Sequence, residues 1–335
     1  MDPSARRRCG NSGVALLTAL GLMFIFSMMG VAYIAYMTNA YERTRFETRA
    51  VHARHAARGG IEVAIGRLQT ALASGMVADV LSAPGECEFP LYQLDKAAPE
   101  KFSPAIDRHC VARLTISDES GKVNLNCAPT RVLQALLHVD GDTARKIRSA
   151  LPQQQDVAGA PAAPTPNQRW LTSLDDLVTR GLMSVTAYNT VSKQLVTVYT
   201  VGDPARPAAF LNVNAAAPEV LAAILDLPLD AAKQVAEKRP FNSLQDLSAA
   251  AGKEPSAFNM KPSAEAPGAL PSEFTLQSRC FRIESAADLM ARKADGSEYS
   301  IAHRRVEAVV VFDEAGMPQI TFWSETAERA EGGKA

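Results

Sequence analysis

Neither sign of charge is in excess: Lys and Arg number 35 against 36 Asp and Glu, for a net charge of −1. That balance leaves no global basic field to hold nucleic acid and no acidic solvating tail, so any partner must be recognised locally. Cysteine is scarce. The five, Cys9, Cys87, Cys110, Cys127 and Cys280, form no CxxC pair and have no nearby His at metal-ligand spacing, which argues against zinc. Catalytic signatures are missing as well. There is no Gly-x-Ser-x-Gly, no phosphate loop and no Gly-x-Gly-x-x-Gly after a strand, and His52, His55, His109, His138 and His303 are scattered. The expectation is a non-enzymatic chain with no catalytic residues, no small-molecule substrate and no nucleic acid.

Charge is absent altogether between Arg8 and Glu42, and the run from Val14 to Tyr36 is almost wholly apolar. At about 1.5 Å per residue its ~23 residues reach ~34 Å, enough to span a hydrocarbon core of ~30 Å. A single membrane pass is expected. The run exceeds the ~7–15 apolar residues of an ordinary secretory signal. Cys9 directly follows Arg6, Arg7 and Arg8, so it lacks the preceding apolar stretch that lipidation requires. The polar leader instead ends at Ser12 and Gly13, and Val14 opens the apolar run. Cleavage between Gly13 and Val14 would remove residues 1–13 and retain the helix, and glycine without a Cβ lets the backbone enter a protease site. Arg6 to Arg8 favour a cytoplasmic N-terminus, although Arg43, Arg45, Arg49, Arg54 and Arg58 follow the span. Long C-terminal domains cross largely regardless of charge, so the head is placed on the far side.

No proline interrupts the chain from Tyr36 to about Ala73, so the helix is expected to have a membrane half, 14–37, and a soluble half, 38–73. Phe46, His52, Ala56, Gly60, Ala64 and Leu68 form a drifting stripe along it. Ser74 to His109 reads as irregular. Val111 to Ser117 alternates with period two, and Asp118 to Gly121 reads as a turn returning Lys122 to Asn126 as a hairpin partner.

An internal repeat then changes the fold class. Val123-Asn124-Leu125-Asn126, Val132-Leu133 and Ala135-Leu136-Leu137 recur 88 positions later as Leu211-Asn212-Val213-Asn214, Val220-Leu221 and Ala223-Ile224-Leu225. Each copy reads as strand end, helix, turn, helix and a short Ser-Leu-x-Asp-Leu helix start, with Asn126 and Asn214 as N-cap-like residues. Strands are expected again at Phe274 to Glu284 and Ile301 to Phe312, with a hairpin into Gln319 to Ser324. The predicted fold is α+β: a long N-terminal helix packed on an antiparallel sheet, with an inserted, duplicated all-helical subdomain. The head comprises 74–126 and 273–325, the insertion 127–252, a linker 253–272 and a tail 326–335.

The paired repeat resembles helix-hairpin-helix modules, which grip DNA backbones. Its second turn, Leu227-Pro228-Leu229-Asp230, lacks glycine, and Glu219, Asp226 and Asp230 would repel phosphate. The first turn keeps Gly141 but between Asp140 and Asp142, so protein packing is the preferred reading.

Gly13-Val14-Ala15-Leu16-Leu17, Ala57-Arg58-Gly59-Gly60-Ile61-Glu62 and Lys122-Val123-Asn124-Leu125-Asn126 resemble the minor pseudopilin K family of bacterial type II secretion. Phe210 to Asn214 and Phe241 to Leu244 add to the likeness. The resemblance implies a pilin-like fold and prepilin peptidase cleavage. The address would be the inner membrane, with the N-terminus cytoplasmic and the head periplasmic. Implied partners are the minor pseudopilins of types I, J and H and the major pseudopilin. A type IV minor pilin is the related alternative, with a smaller head. The family has also been associated with calcium, for which Asp118, Glu119 and Asp295 are candidates by composition. No other cofactor is expected. A periplasmic address would allow a disulfide, with Cys110 and Cys280 as first choice. Thr18, the fifth residue after the cut, stands where most pilin-like subunits carry a glutamate that would be costly in hydrocarbon unless paired. A subunit without that demand suits the filament tip.

Overall fold

The computed structural model describes residues 12–83, 85–94, 102–152, 168–199, 209–253, 272–293, 295–313 and 315–326. Helix α1 runs from Ser12 to Ser74, 63 residues and about 95 Å long. Every described side chain from Val14 to Asn39 is exposed. Leu17, Met23, Phe24, Phe26 and Tyr33 are each more than half exposed. From Ala53 onward one face is buried, through Ala56, Ala57, Ile61, Ala64, Ile65 and Leu68. The small residues let the helix lie close to the sheet, and Ile61, Ile65 and Leu68 fill the space between. Each large aliphatic side chain so buried contributes about 1.5–3 kcal/mol. Phe46 and His52 are exposed, so the predicted stripe holds only from Ala56.

Five antiparallel strands form the sheet under this face: β1 (Gly85–Leu94), β2 (Phe102–Asp118), β7 (Cys280–Arg292), β8 (Glu298–Phe312) and β9 (Pro318–Thr326). Alternate residues Cys110, Ala112 and Leu114 of β2 join Phe281, Ile283 and Leu289 of β7 against α1. This is the period-two pattern of a sheet with one face on the core. Short helix α2 (Val77–Ser82) links α1 to β1. The region 74–109, expected to be irregular, therefore contains α2, β1 and the first half of β2.

Between β2 and β7 the chain leaves the sheet and builds a second hydrophobic core. That unit holds β3 (Val123–Asn124), α3 (Thr130–Leu137), α4 (Gly141–Ser149), α5 (Asp176–Thr179), α6 (Val185–Thr190) and β4 (Val196–Thr197). Its second half repeats the plan with β5 (Ala209–Asn212), α7 (Pro218–Leu225), α8 (Leu229–Glu237), α9 (Leu244–Ala251) and β6 (Ser272–Thr275). β3 pairs parallel with β4, and β5 with β6. The insertion is thus helical with two short parallel ribbons, wider at both ends than 127–252. The expected hairpin return of Lys122 to Asn126 onto β2 does not form. Ser120 O instead accepts from Asn212 N at 2.8 Å, and a Cβ on Gly121 would stand 2.6 Å from the Ala215 backbone. The two copies meet here too closely for a side chain, which carries the chain into the second core.

Candidate functional site

The apolar half of α1 is the first functional element. It is long and apolar enough to cross a membrane, lies near the N-terminus, and its most apolar stretch is unburied. Val14 and Thr18 both lie on this exposed half, and Gly13 falls in the helix's first turn. The leader, apart from Ser12 and Gly13, lies outside the described residues. The soluble half is pinned at its outer edge. Arg54 Nε donates to Glu325 Oε2 at 2.6 Å and Arg58 Nε to Glu325 Oε1 at 2.7 Å, tying α1 to β9.

The second element is the joint where the insertion leaves the sheet. Asp118 ends β2, Cys280 begins β7, and the two strands part at this point. Glu119, only 1% exposed, sits in the fork. Its Oε1 accepts from Lys122 Nζ and from Arg282 Nε, the latter at 2.8 Å, and Arg282 reaches on to Glu307 of β8. Burial alone would raise the Glu119 carboxyl, but the Lys122 and Arg282 charges outweigh it and hold it below its usual range. Asp118 is pushed up by burial, against its hydrogen bonds from Ser278 and Ser120. Arg282 also lies over the Tyr199 ring, 5.5 Å from its centroid, and Tyr199 packs on Phe322 of β9. Strand, insertion and sheet edge thereby share one network.

The third element is a pair of amides, Asn126 buried and Asn214 half-buried. Asn126 Oδ1 accepts from Leu171 N at 2.7 Å, while its Nδ2 donates to Leu171 O at 3.0 Å and Val198 O at 3.2 Å. In the other copy Asn214 Oδ1 accepts from Phe241 N at 2.8 Å, and its Nδ2 donates to Phe241 O at 3.0 Å and Leu276 O at 3.3 Å. Asn124 and Asn212 each accept from the backbone N–H two residues on, at 2.9 Å. The helix N-caps are Pro129 and Ala217, so Asn126 and Asn214 are not caps but cross-links between ribbon, helix pair and third helix. Each satisfies backbone groups that the fold draws away from water, fully at Asn126 and partly at Asn214.

The hairpin of the second copy is occupied by protein. Arg131 of α3 pairs with Asp226 at 2.7 Å and donates to Ile224 O at 3.3 Å, and Lys253 Nζ donates to Leu225 O. The cations that a phosphate-gripping hairpin would present are turned inward on its carbonyls.

One sequence expectation needs correction. Cys87, Cys110 and Cys280 are free thiols. Cys110 pairs across β2 and β7 with Leu289, nine residues from Cys280, or about 30 Å along a strand. A disulfide needs Cα atoms within about 7 Å, so the Cys110–Cys280 bridge is excluded by register. Burial pushes the Cys110 thiol up to about 11. The acidic residues named for calcium lie apart in the fold. Asp118 and Glu119 sit at the fork, while Asp295 Oδ1 accepts from Ser297 in the β7–β8 turn at the far end of the sheet. Among the described residues no three His, Cys, Asp or Glu side chains are grouped to hold a metal ion.

A family model matches residues 211–264, from the Asn212–Asn214 turn through α9 and beyond. The match is to protein K of the type II secretion system. No curated protein matches the sequence. In fold, the chain is similar to a chain in the crystal structure of the GspK-GspI-GspJ complex from the type 2 secretion system of enterotoxigenic Escherichia coli. The TM-score is 0.55 at 14% identity, covering 85% of this chain and all of that one. The likeness to protein K in sequence falls on the second copy of the repeat, and the likeness in fold extends over most of the molecule.

Proposed function

We propose that the chain is a membrane-anchored minor pseudopilin of type II secretion, a structural subunit and not an enzyme. The observation that carries this is a single helix, half bare and apolar, half buried on an antiparallel sheet, whose insertion matches protein K. Prepilin peptidase would cut between Gly13 and Val14, leaving the apolar half of α1 in the inner membrane and the head in the periplasm. Partners would be pseudopilins of the I and J types, the company of GspK in the similar complex, together with the H type and the major pseudopilin.

The same geometry supports a place at the tip. Thr18 supplies no carboxylate for a neighbouring subunit's amine, and the insertion leaves the sheet at the fork as a bulk that would obstruct a head stacked above it. Labelled antibody against the head, applied to assembled pseudopili, should mark only their ends; decoration along the shaft rejects the capping role. Co-purification with I-type and J-type subunits tests the broader assignment, and a head that associates with none of them rejects it. Protein contacts fill the second-copy hairpin, so these pairings favour a packing role over DNA binding.

A further inference from the structure

Asp118 and Glu119 set two carboxylates side by side at the fork, one half-buried and one buried. A calcium site could start from such a pair if the calcium association of the protein K family extended to this chain. The groups around them form a different donor set.

Glu119 Oε1 accepts from Lys122 Nζ and, at 2.8 Å, from Arg282 Nε. Lys122 stands directly before β3 of the insertion and Arg282 on β7, so each side of the fork supplies one cation. Calcium takes about six to eight oxygens at roughly 2.3–2.6 Å, so an ion on Oε1 would stand no more than about 5 Å from both nitrogens. The two cationic side chains are only 13% and 23% exposed, and water screens so enclosed a repulsion weakly. Glu119 Oε2 is buried without a hydrogen-bond partner among the described residues, but a single oxygen falls far short of a calcium shell.

Asp118 is engaged by neutral donors. Its Oδ1 accepts from Ser120 N at 2.7 Å, and its Oδ2 accepts from Ser278 Oγ, which itself accepts from Asn212 Nδ2 at 2.6 Å. Asp118 thereby ties the second copy of the repeat to the end of β2. Burial raises its carboxyl, which disfavours the ionised form that a metal ligand needs. Calcium does not fit this donor set. We infer that Lys122 and Arg282 are built-in counter-ions that take the place of a divalent ion at the fork, so that the insertion is seated on the sheet without calcium.

The test uses the full-length chain in mild detergent. Terbium occupies calcium sites and is excited through a nearby tyrosine ring, and Tyr199 lies 5.5 Å from the Arg282 guanidinium at this fork. Wild type and Tyr199→Phe should therefore give equal terbium emission. A signal that falls in Tyr199→Phe, and that calcium displaces from wild type, overturns the inference. Melting midpoints give a second reading. An ion held at the fork with a dissociation constant of about 1 mM would, at about 10 mM calcium, raise the wild-type midpoint by about 2 °C or more and spare Glu119→Gln. The expected result is a calcium response that is the same in both chains, including none in either. Lys122→Met should lower the midpoint by about 3 °C or more without calcium, and Lys122→Arg should keep most of it. A calcium response lost in Glu119→Gln, or a Lys122→Met chain as stable as wild type, rejects the built-in counter-ions.

Discussion

Gly60 of α1 and Ser285 of β7 approach so closely that a Cβ at residue 60 would stand 2.3 Å from the Ser285 hydroxyl and 2.9 Å from Leu114. The hydroxyl is itself buried without a hydrogen-bond partner. Gly60→Ala gains about 1 kcal/mol in helix propensity. It must also separate helix and sheet, and overpacking of this kind costs about 1–3 kcal/mol. Net destabilisation is the expected outcome, measured by urea unfolding of the full-length chain in mild detergent. Ser285→Ala should be neutral or stabilising and should recover part of the loss in the double variant, because the sites touch.

Asn126→Ala and Asn214→Ala should each lower stability by about 1–3 kcal/mol, since each strands backbone partners, buried at Asn126 and half-buried at Asn214. The same denaturant series checks this. Equal effects would show that the two copies share one architecture despite their different sequences. No effect at either position would remove the cross-linking role.

Glu119 sets an acid-sensitive term at the fork. Its folded-state carboxyl lies below the ordinary value of 4.5, so its stabilisation is present above that value and is lost as pH falls through the folded one. Asp118, raised by burial, acts in the opposite sense. Glu119→Gln should therefore cost about 3 kcal/mol near neutral pH by leaving Lys122 unpaired and Arg282 with Glu307 alone. The gap between variant and wild type should narrow below about pH 4.5. A pH-independent gap in unfolding free energy would contradict the assignment.

Cleavage after Gly13 predicts a mature chain that begins at Val14. N-terminal sequencing of membrane-extracted protein reads it directly. A mature start at Met1, or at any residue beyond Tyr36, rejects this processing.

Much of the plan was legible because it is written in period and charge. The bilayer half of α1 announces itself by 33 consecutive uncharged positions from Cys9 to Tyr41. The duplication shows in the paired asparagines. What the sequence hid depends on contacts distant along the chain. Gly121 and its neighbours have turn composition, but their conformation answers to Ala215 in the other copy. Asn126 has the chemistry of a cap, and only the approach of Leu171, 45 residues on, reveals it as a cross-link. β1 was missed because Pro90 falls within it and its register shifts between Pro90 and Tyr92, breaking the period that marks a strand.

The fork between β2 and β7 also has a mechanical meaning. Both polypeptide links of the insertion emerge from adjacent strands at one end, so a pull on the insertion would open that pair by peeling, one backbone bond after another, and not by shearing all of them together. Load would fall first on Glu119 and its two cations, which makes this buried carboxylate the clasp at the mouth of a zipper eleven residue pairs long.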